Sequence, residues 1–253
     1  MNTVTGYIRL ANEEDTIIPC LNSINNVFDK ILIIHSNITD SSLELINEYI
    51  KNNNITNTKI HKYPYDVIPP HSIEYTTNNY NYENSLAAYY NFGLQFIDTD
   101  FVMKIDADQI YIQPLLKTFV DKSLNNTQHE IFGTKGHNCV VSKGHIYELK
   151  NQPQNGGQDH FLIPVKYAHF EQKKYWELLV LQNTNQSFYI PKNNFWFHIK
   201  DGHRYNNKFV SGDKYNPNDL QCFNQELIDA YEKYVLPLLE INESKFKNLK
   251  YKC

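Results

Sequence analysis

The chain has 253 residues, 41% of them hydrophobic, enough to bury the core of a single α/β domain. Its formal net charge is −4 with no long basic run, which argues against nucleic acid as a partner, because that needs a clustered positive face. No stretch is long and apolar enough to span a bilayer and no secretory signal precedes the first strand-like segment, so the four scattered cysteines (Cys20, Cys139, Cys222, Cys253) read as reduced packing residues of a cytoplasmic protein.

Strand and helix signals alternate through the first half. Val4 to Leu10 reads as a strand, and Glu13 to Phe28 follows helical spacing with Ile17, Leu21, Ile24 and Phe28 on one side. Lys30 to Ile34 is a short apolar run suited to a buried parallel strand. Ser41 to Ile50 is helical again, with Leu45, Ile46, Tyr49 and Ile50 as its apolar face. Lys59 to Tyr63 is a third strand, and Pro64, Pro69 and Pro70 mark an irregular connection after it. Tyr82 to Ile97 reads as a helix and Phe101 to Ile105 as a fourth strand. This alternation predicts an α/β fold with a mostly parallel, Rossmann-like central sheet flanked by helices, and ligands at the carboxyl ends of its strands.

The second half has a different texture. Short β-like pieces, broken by Gly and Asn, fall at 130–133, 139–141, 145–147, 161–163 and 195–198 and predict a smaller mixed β region. A helix from Asp219 to Glu240, interrupted by Pro237, closes the fold. The change near residue 112 divides one domain, 1–253, into two subregions, 1–112 and 113–253.

The chemistry concentrates where the fourth strand ends. The run Phe101-Val102-Met103-Lys104-Ile105-Asp106-Ala107-Asp108 carries an apolar segment straight into Asp-x-Asp. In a continuing strand, alternate side chains share a face, so Asp106 and Asp108 would point the same way. Two carboxylates at a buried strand end repel each other and lose hydration. A divalent cation, Mn2+ or Mg2+, removes that conflict and can also grip a diphosphate. The simpler account is a strand end followed by a solvated acidic turn. Upstream, Arg9 offers a planar fork for phosphate at the start of the first predicted helix. Asn12 as a helix cap, with Glu13 and Glu14 at the helix's positive end, explains the same stretch structurally. Thr39 or Asp40 reads as a second cap, with acceptance of a uracil N–H by Asp40 as the functional alternative.

Taken in order, these pieces resemble one family. They are Ile8-Arg9-Leu10-Ala11-Asn12-Glu13, Leu21-Asn22-Ser23-Ile24, Asn37-Ile38-Thr39-Asp40-Ser41-Ser42, Lys62-Tyr63-Pro64-Tyr65, Tyr89-Tyr90-Asn91-Phe92 and Lys104-Ile105-Asp106-Ala107-Asp108. The chain resembles inverting nucleotide-sugar glycosyltransferases of the type A fold, above all the bacterial lipooligosaccharide β-1,4-N-acetylgalactosaminyltransferases of glycosyltransferase family 82. The ordered set lies within about the first 120 residues and is more specific than any single piece.

The resemblance implies a UDP-sugar donor and an Mn2+ or Mg2+ ion. It places Arg9, Asn12 and Glu13 in the nucleotide pocket and Asp40 against the uracil. Lys104 would steady the diphosphate, Asp106 would lie nearer the ribose and Asp108 nearer the metal. Such enzymes often add a histidine from the C-terminal part. His198, at the end of an aromatic strand, is the first choice and His203 the rival, with Lys200 and Arg204 placed to pair with the leaving diphosphate. An inverting transfer needs a general base. Asp159, then His160, are the candidates, although a turn capping the following strand explains them equally well.

The expected reaction is metal-dependent, inverting transfer of an N-acetylhexosamine or hexose to a hydroxyl of a bacterial surface glycan, lipooligosaccharide or capsule, at the cytoplasmic side of the inner membrane. Lys245, Lys247, Lys250 and Lys252 could touch an anionic membrane there, while a solvated tail is the simpler account. Three rivals remain open. One is a retaining glycosyltransferase of the same fold. Another is a sugar nucleotidyltransferase, which would carry a glycine-rich loop where Arg9-Leu10-Ala11-Asn12-Glu13 has none. The third is a catalytically silent glycan-binding protein.

Overall fold

The computed structural model describes residues 2–69, 72–77, 79–126, 131–142, 145–149, 160–173, 177–181, 188–201 and 220–241. Four hydrophobic runs form the heart of the main sheet: β1 (Val4–Leu10), β2 (Lys30–His35), β3 (Thr58–Lys62) and β4 (Phe101–Asp106). β1 lies between β2 and β4 and is parallel to both, and β3 is parallel to β2. Beyond β4 come β9 (Phe161–Pro164), β6 (Ile131–Gly133) and β12 (Phe188–Tyr189), giving the order β12-β6-β9-β4-β1-β2-β3 among the described residues. β9 alone runs against its neighbours. The mostly parallel sheet is therefore present, and its strand order reverses between β1 and β4. At such a switch point the crevice beyond the strand ends receives ligands.

Both faces are covered, as parallel sheets require. On one face, α1 (Ile17–Ser23), α2 (Ser42–Asn52) and α5 (Gln113–Leu124) bury Ile17, Leu21, Ile46, Leu116, Phe119 and Val120 against Ile8, Leu10, Ile33, Met103 and Ile105. On the other, α4 (Leu86–Leu94) and the hairpin of β10 (Ala168–Gln172) and β11 (Glu177–Leu181) pack Leu86, Tyr89, Tyr90, Phe170 and Leu179 on Tyr7, Leu32, Ile34 and Val102. The short α3 (Ile73–Thr76) joins this layer through buried Tyr75.

A second sheet has the order β14-β8-β7-β13-β5, built from β14 (Leu220–Gln221), β8 (His145–Leu149), β7 (Gly136–Ser142), β13 (Trp196–Asp201) and β5 (Gln109–Tyr111). Helices α6 (Gln225–Tyr234) and α7 (Leu236–Ile241) close it around Ile110, Cys139, Phe197, Leu227, Tyr231 and Leu239. No helix among the described residues is long and apolar enough to cross a membrane.

Several expectations need correction. The first helix covers Ile17–Ser23 only. Its lead-in residues are tied to the neighbouring loop, and the Ser23 hydroxyl donates to the Cys20 carbonyl at 2.6 Å and accepts from Tyr111 N at 3.0 Å, a local competition that ends the helix. Ile24 and Phe28 are buried all the same. The helix expected over 82–97 splits at Ser85, whose extended backbone and side chain cap α4 by accepting from Ala88 N at 3.1 Å. The C-terminal helix starts at Gln225, capped by Asn224, and breaks at Val235. Pro237 then sits in the first turn of α7, where its missing N–H costs nothing. Cys20 and Cys139 are free, but Cys222 is disulfide-bonded, which overturns the expectation of four reduced cysteines.

Candidate active site

The ends of β1 and β4 lie side by side, with Arg9 in register opposite Asp106. β4 stops at Asp106, and Ala107 and Asp108 make a turn into β5, which belongs to the second sheet. Asp106 and Asp108 are therefore not alternate residues of one strand, and the expected shared strand face does not exist. A turn brings them together instead. The reason is that β5 leaves the first sheet to pair with β13, placing Gln109 opposite His198. The Asp108 carbonyl accepts from Ile199 N at 3.0 Å, which locks the turn to β13.

That pairing delivers a histidine to the two carboxylates. His198 Nε2 lies 2.7 Å from Asp108 Oδ1. Its other ring nitrogen faces Asn138 Oδ1 at 3.2 Å, and Asn138 is the register neighbour of His198 on β7. One ligand atom from each of Asp106, Asp108 and His198 falls within 4.8 Å of the others. Two ligands at about 2.1 Å from one ion are at most about 4.2 Å apart, so the set needs only a sub-ångström contraction to close on a cation. Two carboxylates with one imidazole suit Mn2+ or Mg2+, and a ring held through its second nitrogen by a side-chain oxygen is the usual support for a ligating histidine. Asp106 Oδ1 is buried and makes no hydrogen bond of good geometry among the described residues; its close charged neighbour, Lys104 Nζ at 3.2 Å, leaves it a lone pair for a ligand. The donor set fits the ion.

Charged and polar groups surround Asp106 from below. Lys104 Nζ lies 3.2 Å from Asp106 Oδ1 and 3.9 Å from Glu177 of β11, and the lysine is 5% exposed. His160 Nε2 is 4.0 Å from Asp106 Oδ2. Gln109 ties these groups together. Its Oε1 faces Asp106 N at 3.4 Å and accepts from the Tyr111 hydroxyl at 2.7 Å, and its Nε2 faces His160 Nδ1 at 3.5 Å. Burial alone would push the Asp106 carboxyl up. The attraction of Lys104, His160, Arg9 and His198 outweighs it and holds the group well below the usual carboxylate range. Burial likewise disfavours charge on Arg9, but the neighbouring acids Asp106 and Glu177 favour it, and the guanidinium stays charged.

The loops after β1 and β2 are stitched together. Asn12 Nδ2 donates to Thr39 Oγ1 at 2.9 Å and Asn12 Oδ1 accepts from Thr39 N at 2.8 Å. Glu13 N donates to Ser42 Oγ at 2.8 Å. Asp40 accepts from Glu14 N at 3.1 Å and from Ser42 N at 3.0 Å. Asn12 is thus a cross-loop clamp rather than the cap of α1, and Asp40 turns the chain into α2.

The structure brings His198 to Asp106 and Asp108 and leaves Arg9, Lys104 and His160 around Asp106. Asp159, His203 and Arg204 lie outside the described residues, as does the side chain of Lys200. Sequence reasoning missed Asn138, Gln109 and Glu177. Gln109 directly follows the acidic pair and was within reach, whereas Asn138 and Glu177 arrive through pairings that no local pattern announces.

The profile of a family described as beta-1,4-N-acetylgalactosaminyltransferase (CgtA) matches residues 2–151, more than half of the chain. The chain belongs to this family. Among solved structures, TarS 1-349 of S. aureus superposes with a TM-score of 0.50 at 13% identity, over 78% of this chain and 60% of that one. Glucosyl-3-phosphoglycerate synthase of Mycobacterium tuberculosis, in complex with Mn2+, UDP-glucose and phosphoglyceric acid, gives 0.41 at 14% identity over 66% and 58%. The mannosyltransferase PcManGT of Pyrobaculum calidifontis, in complex with GDP-Man and Mn2+, gives 0.42 at 15% over 53% and 36%. At these identities the first likeness speaks for the fold alone and the other two carry no argument. The chain spans about 60% of the TarS segment. No curated protein matches the chain at a significant level. The family match and the parallel-rich sheet agree on the type A glycosyltransferase fold.

Proposed function

We propose that the chain is a metal-dependent, inverting glycosyltransferase that moves an N-acetylhexosamine or hexose from a UDP-sugar to a hydroxyl of a bacterial surface glycan or its lipid-linked precursor. One observation carries this: Asp106, Asp108 and His198 converge at the switch point of the sheet, in a chain of the N-acetylgalactosaminyltransferase family. Those three side chains hold Mn2+ or Mg2+, and Asn138 keeps the His198 ring turned toward Asp108. When bound, the ion supplies neutralising charge to the departing diphosphate.

The stitched loops that carry Asn12, Glu13 and Asp40 frame the nucleoside, and each Asp40 oxygen keeps a lone pair beyond its backbone bond for a uracil N–H. Lys200 and Arg204 take the role the resemblance implies for them, pairing with the leaving diphosphate. Asp159 is the general base, taking the acceptor's proton as its oxygen attacks the anomeric carbon from the face opposite UDP. His160 is turned inward, with its ring nitrogens facing Asp106 and Gln109, and supports the metal carboxylate instead. Residues 1–112 bind the nucleotide sugar and 113–253 the acceptor, within one domain. The enzyme works on the cytoplasmic side of the inner membrane, in peripheral contact through its C-terminal lysines.

Calorimetry with UDP, with and without Mn2+, tests the core of this proposal. The expected result is UDP binding that collapses when the metal is chelated. Metal-independent binding, or none, would refute it. A panel of UDP-sugars then finds the donor, and NMR of the product's anomeric centre separates inversion from retention.

A further inference from the structure

Beneath Asp106 lies a group of buried polar atoms that the proposed chemistry leaves unused. Arg9 Nε, Tyr75 Oη, Tyr90 Oη and Gln172 Oε1 are all shielded from solvent, and none makes a hydrogen bond of good geometry among the described residues. They converge from several elements. Arg9 and Asp106 are register neighbours on β1 and β4. Tyr90 of α4 lies under the Lys104 ammonium, 5.2 Å from ring centroid to Nζ. Gln172 and Glu177 face each other across the β10–β11 hairpin. Tyr75 of α3 approaches Gln172 without closing a bond of good geometry, and it sits within the fields of Glu177 and Arg9. Buried polar groups in folded proteins are nearly always paired, so four such atoms in one place call for a partner.

The charge balance indicates what that partner is. Arg9 and Lys104 contribute two positive charges, and Asp106 and Glu177 contribute two negative ones, so the group is formally neutral. A phosphate would face Glu177 and could only accept hydrogen bonds. These atoms mix a donor (Arg9 Nε), an acceptor (Gln172 Oε1) and tyrosine hydroxyls that can do either, which complements hydroxyl groups that both donate and accept.

We infer that this polar group, formed by Arg9, Tyr75, Tyr90, Gln172 and Glu177 beside Asp106, recognises the hydroxyls of the transferred sugar rather than the diphosphate. The inference rests on the proposed use of a UDP-sugar. It assigns the β10–β11 hairpin to donor selection, and it moves Arg9 from the nucleotide pocket and Lys104 from the diphosphate, the places the family resemblance implied for them, toward the sugar.

The test compares UDP with UDP-sugars. Calorimetry in the presence of Mn2+ gives Kd for UDP, UDP-GalNAc, UDP-GlcNAc, UDP-galactose and UDP-glucose in wild type, Tyr75→Phe and Tyr90→Phe. Each variant keeps its ring and loses one hydroxyl. UDP should bind as in wild type, which also certifies the fold. The ratio of UDP-sugar Kd to UDP Kd should rise about fivefold for the best donor in at least one variant, as for one lost hydrogen bond, and discrimination between the C4 epimers should narrow. Ratios unchanged in both variants, with UDP still bound, would overturn the sugar pocket and leave the glycosyltransferase proposal standing. Failure of wild type to bind UDP would remove that proposal and this inference with it.

Discussion

Replacing Lys104 with methionine tests the buried charge network directly. The Lys104 ammonium sits 3.2 Å from Asp106 and 3.9 Å from Glu177, and the side chain is 5% exposed. Methionine keeps the apolar stem but leaves both carboxylates without their shared cation. Removing one partner of a buried pair costs about 3–5 kcal/mol. In a domain of this size each kcal/mol lowers Tm by roughly 2–4 °C, so the expected loss is about 6–20 °C. Mn2+ supplies positive charge at Asp106, so it should raise Tm more in Lys104→Met than in wild type. The sign of the pH dependence follows from Asp106, whose carboxyl is held below its usual range. Its ionised form contributes stability that is fully present above about pH 4 and is lost as the pH falls through the folded value. The gap in Tm between wild type and variant should therefore narrow below about pH 4. Melting curves by circular dichroism, with and without Mn2+, measure all of this. A Tm within about 2 °C of wild type at neutral pH would refute the idea that Lys104 holds the two acids together.

Three further outcomes are expected. Asp108→Ala should lower turnover by about three orders of magnitude, as for a main electrostatic stabiliser, and near-normal turnover without metal would contradict the proposed site. Asn138→Ala frees the His198 ring and should weaken Mn2+ binding by about 10–100-fold with little change in Tm, whereas an unchanged affinity would reduce Asn138 to packing. Gly93 packs directly on the Tyr7 hydroxyl, which is held to the Tyr90 carbonyl at 2.9 Å, so a Cβ there collides with a ring that has nowhere to go. Gly93→Ala should cost about 1–3 kcal/mol in thermal or denaturant unfolding, and a neutral result would mean that α4 shifts freely on the sheet.

Much of the first sheet was legible because its contacts follow local periodicity. The apolar runs of β1, β2 and β4 are buried on both faces, and the turn to acidic residues at Asp106 marks the strand end. His198 was legible from the aromatic residues before it, although it lies within β13 and does not end a strand, and the pairing with β5 explains why that place matters. The geometry of the acidic pair was not legible, since nothing in the local pattern says that the chain leaves one sheet for another at Ala107. Helix α5 carried a readable signal, Pro114 in its first turn and Leu116, Phe119, Val120 and Ser123 on one buried face, but the change of texture near residue 112 masked it. Glu177 and Gln172 could not be placed from sequence. They depend on a hairpin that reaches α4 across about 80 residues of chain, where Asn91 bonds both backbone groups of Phe170.

The proposed cation ligands come from both sheets, Asp106 from the end of β4, Asp108 from the bend before β5 and His198 from β13. An ion there would clasp the two halves of the molecule while it holds substrate. The proposed acceptor-binding region could then be exchanged between relatives without rebuilding the proposed metal centre, provided a grafted segment laid its histidine opposite Gln109. Acceptor preference would be free to drift over evolutionary time, while that single register stayed fixed.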